Sequence, residues 1–412
     1  ERSRGLGDVY KRQPHYSFNT CLYHPATQER FREWLKAKYG SLEALNRAWG
    51  GWTYTDWSQV SMPREGNYVS QMDVHLFHRW WIRDHLRWRV SVVKTVDPDA
   101  VCISHAAGAL GQLTAAPHNM WDLAEEVDVW GTSDYEVDFY RSALLHNAVR
   151  SSSGGKPWWL SEQTGGRTWT LFGNMGRTPE FIEQKMIQAF SYGAEANLVW
   201  QWRPEIFGQE SPNFGLVNED GSPNERTGAV TRLARALSEY EDVFSSLRFG
   251  EPEAGILVDW RLRSFEYSAF GNPVRFGEKE LLGWHSAAVD AGLDVLLLDV
   301  ERVASGGVPG SIRLLIAPLL IQDLKGLQSR LTEYVRDGGL LVAGPYLLVY
   351  DEDGYVNPGA PPVPLRELAG AVRTDILYPD TPRLTILREP LTGLVLDGYH
   401  LLEHYTLEDG EP

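Results

Sequence analysis

The sequence predicts an α/β fold: the C-terminal half of a (β/α)8 TIM barrel, then an α/β doubly wound domain and the start of a small β domain. Three observations carry that expectation. Four strand–helix units follow one another between Ala100 and Phe244, the alternation of a parallel sheet. Polar and aromatic residues gather at the carboxyl ends of those strands, where a barrel presents its site. After Glu251 a second series of short apolar runs alternates with helical patterns. A free-standing four-stranded sheet fits the count as well; the long loops after each strand favour the barrel.

Taken in order, the opening Glu1–Gln13 has neither helical nor strand periodicity and carries four basic and two acidic groups, unlike the acidic chain behind it. It reads as a foreign or mis-assembled extension, with a native flexible terminus as the alternative. Ala26–Tyr39 is a helix with Phe31, Trp34, Leu35 and Tyr39 on one face and Gly40 as its stop. Ser41–Trp49 is a second helix, and a Trp-rich loop runs from Gly50 to about Asn67. A long helix from about Ser70 to Val96 ends before Pro98.

Strands are then expected at Ala100–Ser104, Val127–Thr132, Pro157–Leu160 and Asn197–Trp202, with helices at Met120–Glu126, Phe139–Val149, after the cap Thr178-Pro179, and at Arg226–Phe244. Half a barrel leaves two open sheet edges, an aggregation liability. In the second unit, strands at Gly255–Val258, Val295–Leu298, Leu314–Ile316 and Leu340–Val342 alternate with helices at Lys279–Ala291 and Asp323–Asp337. The tail from Val363 carries strand-like runs such as Leu384–Leu387.

Composition narrows the function classes. Hydrophobic residues make up 43% and charged residues 23% of the 412, a globular balance. A net charge of −16 without a concentrated basic patch argues against nucleic acid. The longest apolar stretch, Leu314–Ile321, is far short of the roughly 20 residues that span a bilayer, so no membrane partner is expected. Two cysteines, Cys21 and Cys102, exclude a disulfide framework and a thiolate metal cluster, though not a single bridge. The 16 Trp and 18 Tyr are a hint of sugar binding, since indole faces suit the C–H faces of sugar rings and equally anchor cores.

Two constellations could carry chemistry. In Trp158-Trp159-Leu160-Ser161-Glu162-Gln163 a carboxylate stands at the carboxyl end of a strand. Glu162 there is either a group that acts on a bound sugar or a loop glutamate paired with an arginine. In Trp200-Gln201-Trp202-Arg203-Pro204, strand alternation puts Trp200 and Trp202 on one face and Gln201 and Arg203 on the other. With Glu210 and Asn213 nearby, this is either a sugar platform or core packing with a structural ion pair. Cys21 and His24 lack further ligands for a metal. Gly338-Gly339 through Gly344-Pro345 lacks the Lys-Ser/Thr ending of a phosphate loop, and the second domain has no Gly-x-Ser-x-Gly elbow.

Several segments together resemble glycoside hydrolase family 42, the β-galactosidases: Phe31-Arg32-Glu33-Trp34-Leu35, Tyr39-Gly40-Ser41-Leu42, Leu45-Asn46, Ala48-Trp49-Gly50, Tyr54-Thr55-Asp56-Trp57, Pro157-Trp158 through Glu162-Gln163, and Gln201-Trp202-Arg203-Pro204. The resemblance runs from about Pro14 to the end. It implies a catalytic barrel, an α/β (amidotransferase-like) domain that helps form trimers, and a small β domain. The corresponding division is 1–13 extension, 14–248 partial barrel, 249–375 trimerisation-type domain and 376–412 truncated β domain. It further implies a retaining exo-β-galactosidase acting on terminal β-D-galactosyl residues of oligosaccharides, with Glu162 as nucleophile. Trp169, Trp202, Arg203, Glu210 and Asn213 would bind substrate. Asn213 stands where many members have a histidine, and Trp169 is one position off the stacking Trp.

The family's acid/base glutamate belongs to an Asn-Glu pair just before Pro14-His15-Tyr16, and here Arg12-Gln13 occupies that place. Gln13 cannot donate a carboxylic proton, so impaired hydrolysis is expected. A non-catalytic carbohydrate-binding protein of the same descent is the alternative. The family's zinc cysteine cluster is also missing, so neither metal nor cofactor is expected. A homotrimer is implied for the intact protein, and a cytoplasmic location suits the acidic, cysteine-poor chain.

Overall fold

A computed structural model describes residues 24–50, 53–63, 67–106, 118–169, 176–262, 265–266, 276–352, 354–357, 361–377, 383–385, 395–397 and 402–407. The extension expected at Glu1–Gln13, the Gln13 position and Cys21 lie outside them. Among the described residues, no helix is long and apolar enough to cross a membrane.

Three α-helices come first among the described residues: α1 (Pro25–Tyr39), α2 (Leu42–Trp49) and α3 (Tyr68–Val96). Gly40, at φ 72°, ends α1, and the Ser41 hydroxyl caps α2 by accepting from the Ala44 N–H. The buried Asp73 carboxylate on α3 gathers all three, accepting from Tyr39 Oη at 2.6 Å and Trp49 Nε1 at 2.7 Å. Phe31, Leu35, Leu45, Trp49 and Phe77 form the core beneath.

The first sheet contains four parallel strands in sequence order: β1 (Ile103–Ala106), β2 (Val129–Asp134), β3 (Trp158–Thr164) and β4 (Ala196–Trp200). Between them run α4 (Met120–Glu125), α5 (Phe139–Ser152) and α6 (Pro179–Ser191). Among the described residues β1 and β4 are the two edges. The strand expected at Ala100–Ser104 is displaced towards the C-terminus because its first residues are spent in a turn. Ala100 N–H donates to Asp97 O, and Cys102 N–H to Asp128 Oδ2. The helix expected over Arg226–Phe244 breaks at Tyr240 into α7 (Glu225–Glu239) and α8 (Glu241–Ser246).

The second sheet contains β5 (Ala254–Val258), β6 (Val295–Asp299), β7 (Leu314–Ala317) and β8 (Leu340–Ala343), all parallel, in the order β6-β5-β7-β8. That order, with α9 (Phe276–Asp290), α10 (Val300–Gly306) and α11 (Leu327–Arg336), is a doubly wound sheet. Helix α10 was not expected from the sequence: Asp299 both ends β6 and caps α10, accepting from Glu301 N–H at 3.1 Å. After α12 (Val363–Ala369) come β9 (Ala371–Leu377), β10 (Arg383–Thr385), β11 (Val395–Asp397) and β12 (Leu402–Leu407), paired antiparallel as β9–β12 and β10–β11.

Helix α5 is buried from Ser142 through Val149, and one continuous core joins its Leu144 and Ala148 to Trp130 and Leu160 of the first sheet and to Ile256 and Leu297 of the second. A helix buried all round is sandwiched rather than amphipathic. Polar contacts cross the same junction. Arg79 donates to both oxygens of Glu301 at 2.6 Å and to Asp122 at 2.6 Å, and lies 4.2 Å from the Trp260 ring.

Candidate active site

Strand alternation sorts the first sheet into two faces. Trp130, Trp158 and Leu160 pack among the helices in the core. His105, Gly131 and Ser133 take the opposite, inner face, where Ser133 Oγ lies 2.9 Å from His105 Nδ1. Continued alternation from Leu160 would send Glu162 towards the helices. It does not, because the register changes: Thr132 pairs with Leu160, whereas Ser133 pairs with Glu162. Ser161 is the extra residue of a β-bulge. Ser161 and Glu162 therefore both reach the inner face; a side chain at Gly131 would collide with Ser161 Oγ.

Tyr135, at the carboxyl end of β2, donates to Glu162 Oε1 at 2.5 Å. A short hydrogen bond to a carboxylate is among the strong ones and favours its charged form. The Tyr135 ring is braced by Phe214, edge to face at 5.6 Å between centroids. Phe214 sits at φ 66°, an uncommon conformation for a bulky residue. Its backbone ties two segments together, its N–H donating to Arg167 O at 2.9 Å and its carbonyl accepting from Gln201 N–H at 3.0 Å.

Behind Tyr135 lies a buried polar cluster. Asp134 accepts from Lys185 Nζ at 2.7 Å and lies 3.1 Å from His146 Nε2. Burial would raise the Asp134 carboxyl, but Lys185 and His146 outweigh it and hold it well below the usual carboxylate range. Burial lowers the Lys185 ammonium despite that partner.

Of the residues expected to bind substrate, Trp169 follows β3, whereas Trp202, Arg203, Glu210 and Asn213 occupy the returning loop after β4. Trp200 Nε1 donates to Glu210 Oε2 at 3.0 Å, which fastens Glu210 to the end of β4. Asn213 is fully buried, and its Oδ1 accepts from Trp169 N–H at 2.9 Å. Trp169 and Trp202 present open indoles, 55% and 63% exposed. Arg203 turns to the neighbouring turn instead, donating from Nε to Glu219 O at 3.0 Å. The shared face expected for Trp200 and Trp202 is corrected: β4 stops at Trp200, and Gln201 is bonded to Phe214 and Leu216 of the loop rather than to β3. Beside this loop a cavity of about 410 Å³ opens between Arg167, Pro204, Pro212, Glu219, Asp220 and Arg226.

Sequence reasoning missed Tyr135, Phe214 and the bulge. The rule that selected Glu162, a polar side chain at the carboxyl end of a strand, would have selected Tyr135 too. Among the described residues, no group of three or more His, Cys, Asp or Glu side chains is placed to hold a metal. The arrangement holds the Glu162 carboxylate on the inner face of the sheet, oriented by the Tyr135 phenol.

Comparison with known proteins places the chain in a family and a fold. A family model described as Beta-galactosidase (glycoside hydrolase family 42) matches residues 15–240, and one described as Beta-galactosidase trimerisation domain matches residues 254–389. The β-galactosidase BglY of Alicyclobacillus acidocaldarius is 29% identical over 94% of this chain, which spans 58% of that protein. The β-galactosidase structure from Bacillus circulans sp. alkalophilus superposes with a TM-score of 0.82 at 23% identity, over 94% of this chain and 59% of that one. That from Halorubrum lacusprofundi gives 0.80 at 21% identity, over 95% and 60%. At these identities the structures establish the fold, a barrel portion followed by the α/β domain.

Proposed function

The chain belongs to glycoside hydrolase family 42, and from that premise we propose that it carries the nucleophile side of a retaining exo-β-galactosidase. Glu162 attacks the anomeric carbon of a terminal β-D-galactosyl residue, the bond to the leaving oxygen breaks, and a glycosyl ester forms. Water then displaces Glu162 from the anomeric carbon on the face that the leaving oxygen vacated, so two inversions retain the configuration. Such chemistry needs a second carboxyl about 5–5.5 Å away to protonate the leaving oxygen and later activate water; no cofactor enters it. By the resemblance that second position falls at Gln13, outside the described residues. A glutamine there leaves hydrolysis without a general acid, help worth roughly 10²–10⁴-fold.

The observation that carries the reading is Glu162 itself, turned by the Ser161 bulge onto the inner face and held by Tyr135 at 2.5 Å. Trp169, Trp202, Arg203, Glu210 and Asn213 are assigned to substrate binding, Glu210 to galactose hydroxyls and Asn213, buried, through its hold on the Trp169 backbone. The domain division at 248 and 375, a homotrimer of the intact protein, an oligosaccharide rather than nucleic-acid or membrane partner, and a cytoplasmic location belong to the same proposal.

The test is intact-mass analysis after incubation with a 2-deoxy-2-fluoro β-galactoside bearing a good leaving group, which needs little acid assistance. An adduct mapped to Glu162 is the expected result. A folded chain that binds galactosides without forming an adduct would instead support the carbohydrate-binding alternative.

A further inference from the structure

Glu278 belongs to the second sheet's domain, in the first turn of α9, and is 4% exposed. A buried carboxylate is costly unless paired. Arg141, from the first turn of α5, supplies the pair across the junction, its Nη2 lying 2.8 Å from Glu278 Oε1. The same guanidinium holds Glu136, Nε to Oε2 at 2.9 Å and Nη2 to Oε1 at 3.4 Å. Glu136 is the residue after Tyr135, and its N–H donates to Asp134 Oδ1 at 2.9 Å. Asp134 is fixed in turn by Lys185, and Asp138 caps α5 by accepting from Arg141 N–H at 2.9 Å. Residues 134–138 are thus pinned on both sides of Tyr135, and one of the pins originates in the other domain.

We propose that Glu278 is a positioning residue for the nucleophile: through Arg141 and Glu136 it holds the turn that places the Tyr135 hydroxyl on Glu162. The α/β domain then does more than assemble subunits, because it sets the geometry of a carboxylate in the barrel portion. The assignment rests on the reading of Glu162 given above, but its main readout does not require turnover.

The experiment uses the full chain with 3-fluorotyrosine at position 135, followed by ¹⁹F NMR. In the parent, the resonance reports the hydrogen bond from the phenol to Glu162, and Glu162→Gln displaces it. Glu278→Leu, and the isosteric Glu278→Gln should the first not fold, are expected to move the resonance towards its Glu162→Gln position. They should also slow fluorosugar labelling by roughly 2- to 30-fold, the range of coupling through packed networks. Arg79→Met, which loosens the same junction at Glu301, leaves the resonance in place. A resonance indifferent to both Glu278 substitutions, or one that moves equally with Arg79→Met, overturns the proposal. A parent that never labels, but whose resonance answers to Glu278, removes the nucleophile reading and leaves the positioning role standing.

Discussion

Tyr135 and Glu162 come from adjacent strands and meet at 2.5 Å, phenol to carboxylate, at the carboxyl end of the first sheet. A hydrogen bond to a charged group contributes about 1.5–3 kcal/mol. Tyr135→Phe should therefore slow glycosyl-enzyme formation by roughly 10- to 100-fold. Time-resolved mass spectrometry of the labelling measures it, and an unchanged rate would contradict the role given to Tyr135.

The Asp134–Lys185 pair is almost wholly removed from solvent. Breaking such a pair costs about 3–5 kcal/mol, because the surviving charge is stranded. Lys185→Met should lower the denaturant midpoint accordingly, and Asp134→Asn combined with Lys185→Met should recover a large part of the loss. Urea unfolding of the parent and the two variants decides it; a double variant as unstable as the single would refute the stranded-charge account.

Gly131 faces Ser161 across the inner surface with no room for a methyl group. Overpacking typically costs about 1–3 kcal/mol. Gly131→Ala is expected to destabilise the chain by that amount and to reduce labelling of Glu162, since the strain falls on the bulge beside it. Thermal unfolding and labelling together check this.

His285 is a neutral imidazole in a contact between domains. Asn147 Nδ2 donates to Val295 O at 3.0 Å, which fixes its amide orientation and makes His285 Nε2, 3.1 Å away, an acceptor. Burial, helped by Arg150, lowers its pKa to about 4. A histidine depressed from 6.5 in this way stabilises fully above the unfolded value and loses that contribution as pH falls towards 4, by at most about 3 kcal/mol. His78 and His118, also lowered to about 4 by burial, act in the same direction. His285→Phe should lose less melting temperature than the parent between pH 7 and pH 4.5. Equal losses would show that this histidine stays neutral or is already solvated.

The architecture was legible because strands and helices of this type write their period into the chain. Trp158 and Leu160 announce a buried strand, Thr178-Pro179 a helix start, and the apolar runs at Val295 and Leu314 a second parallel sheet. The place of Glu162 towards the carboxyl end of a strand was legible from the same alternation. What could not be read depends on spatial neighbours. The break at Tyr240, the dual use of Asp299 as strand end and cap, and the turn of Gln201 towards Phe214 are settled by partners distant or ambiguous in sequence. The Ser161 bulge belongs to the same class: nothing in Leu-Ser-Glu signals that the partner strand will skip a residue.

The facing of Glu162 is thus held by register and not by any side chain of its own. With Ser161 bulged out, Glu162 is the residue that meets Ser133. Were Ser161 to take that place in the ladder, the carboxylate would turn into the apolar layer beneath the sheet with the sequence unchanged. A slip of one position, with no substitution anywhere, is enough to remove the carboxylate from the inner face.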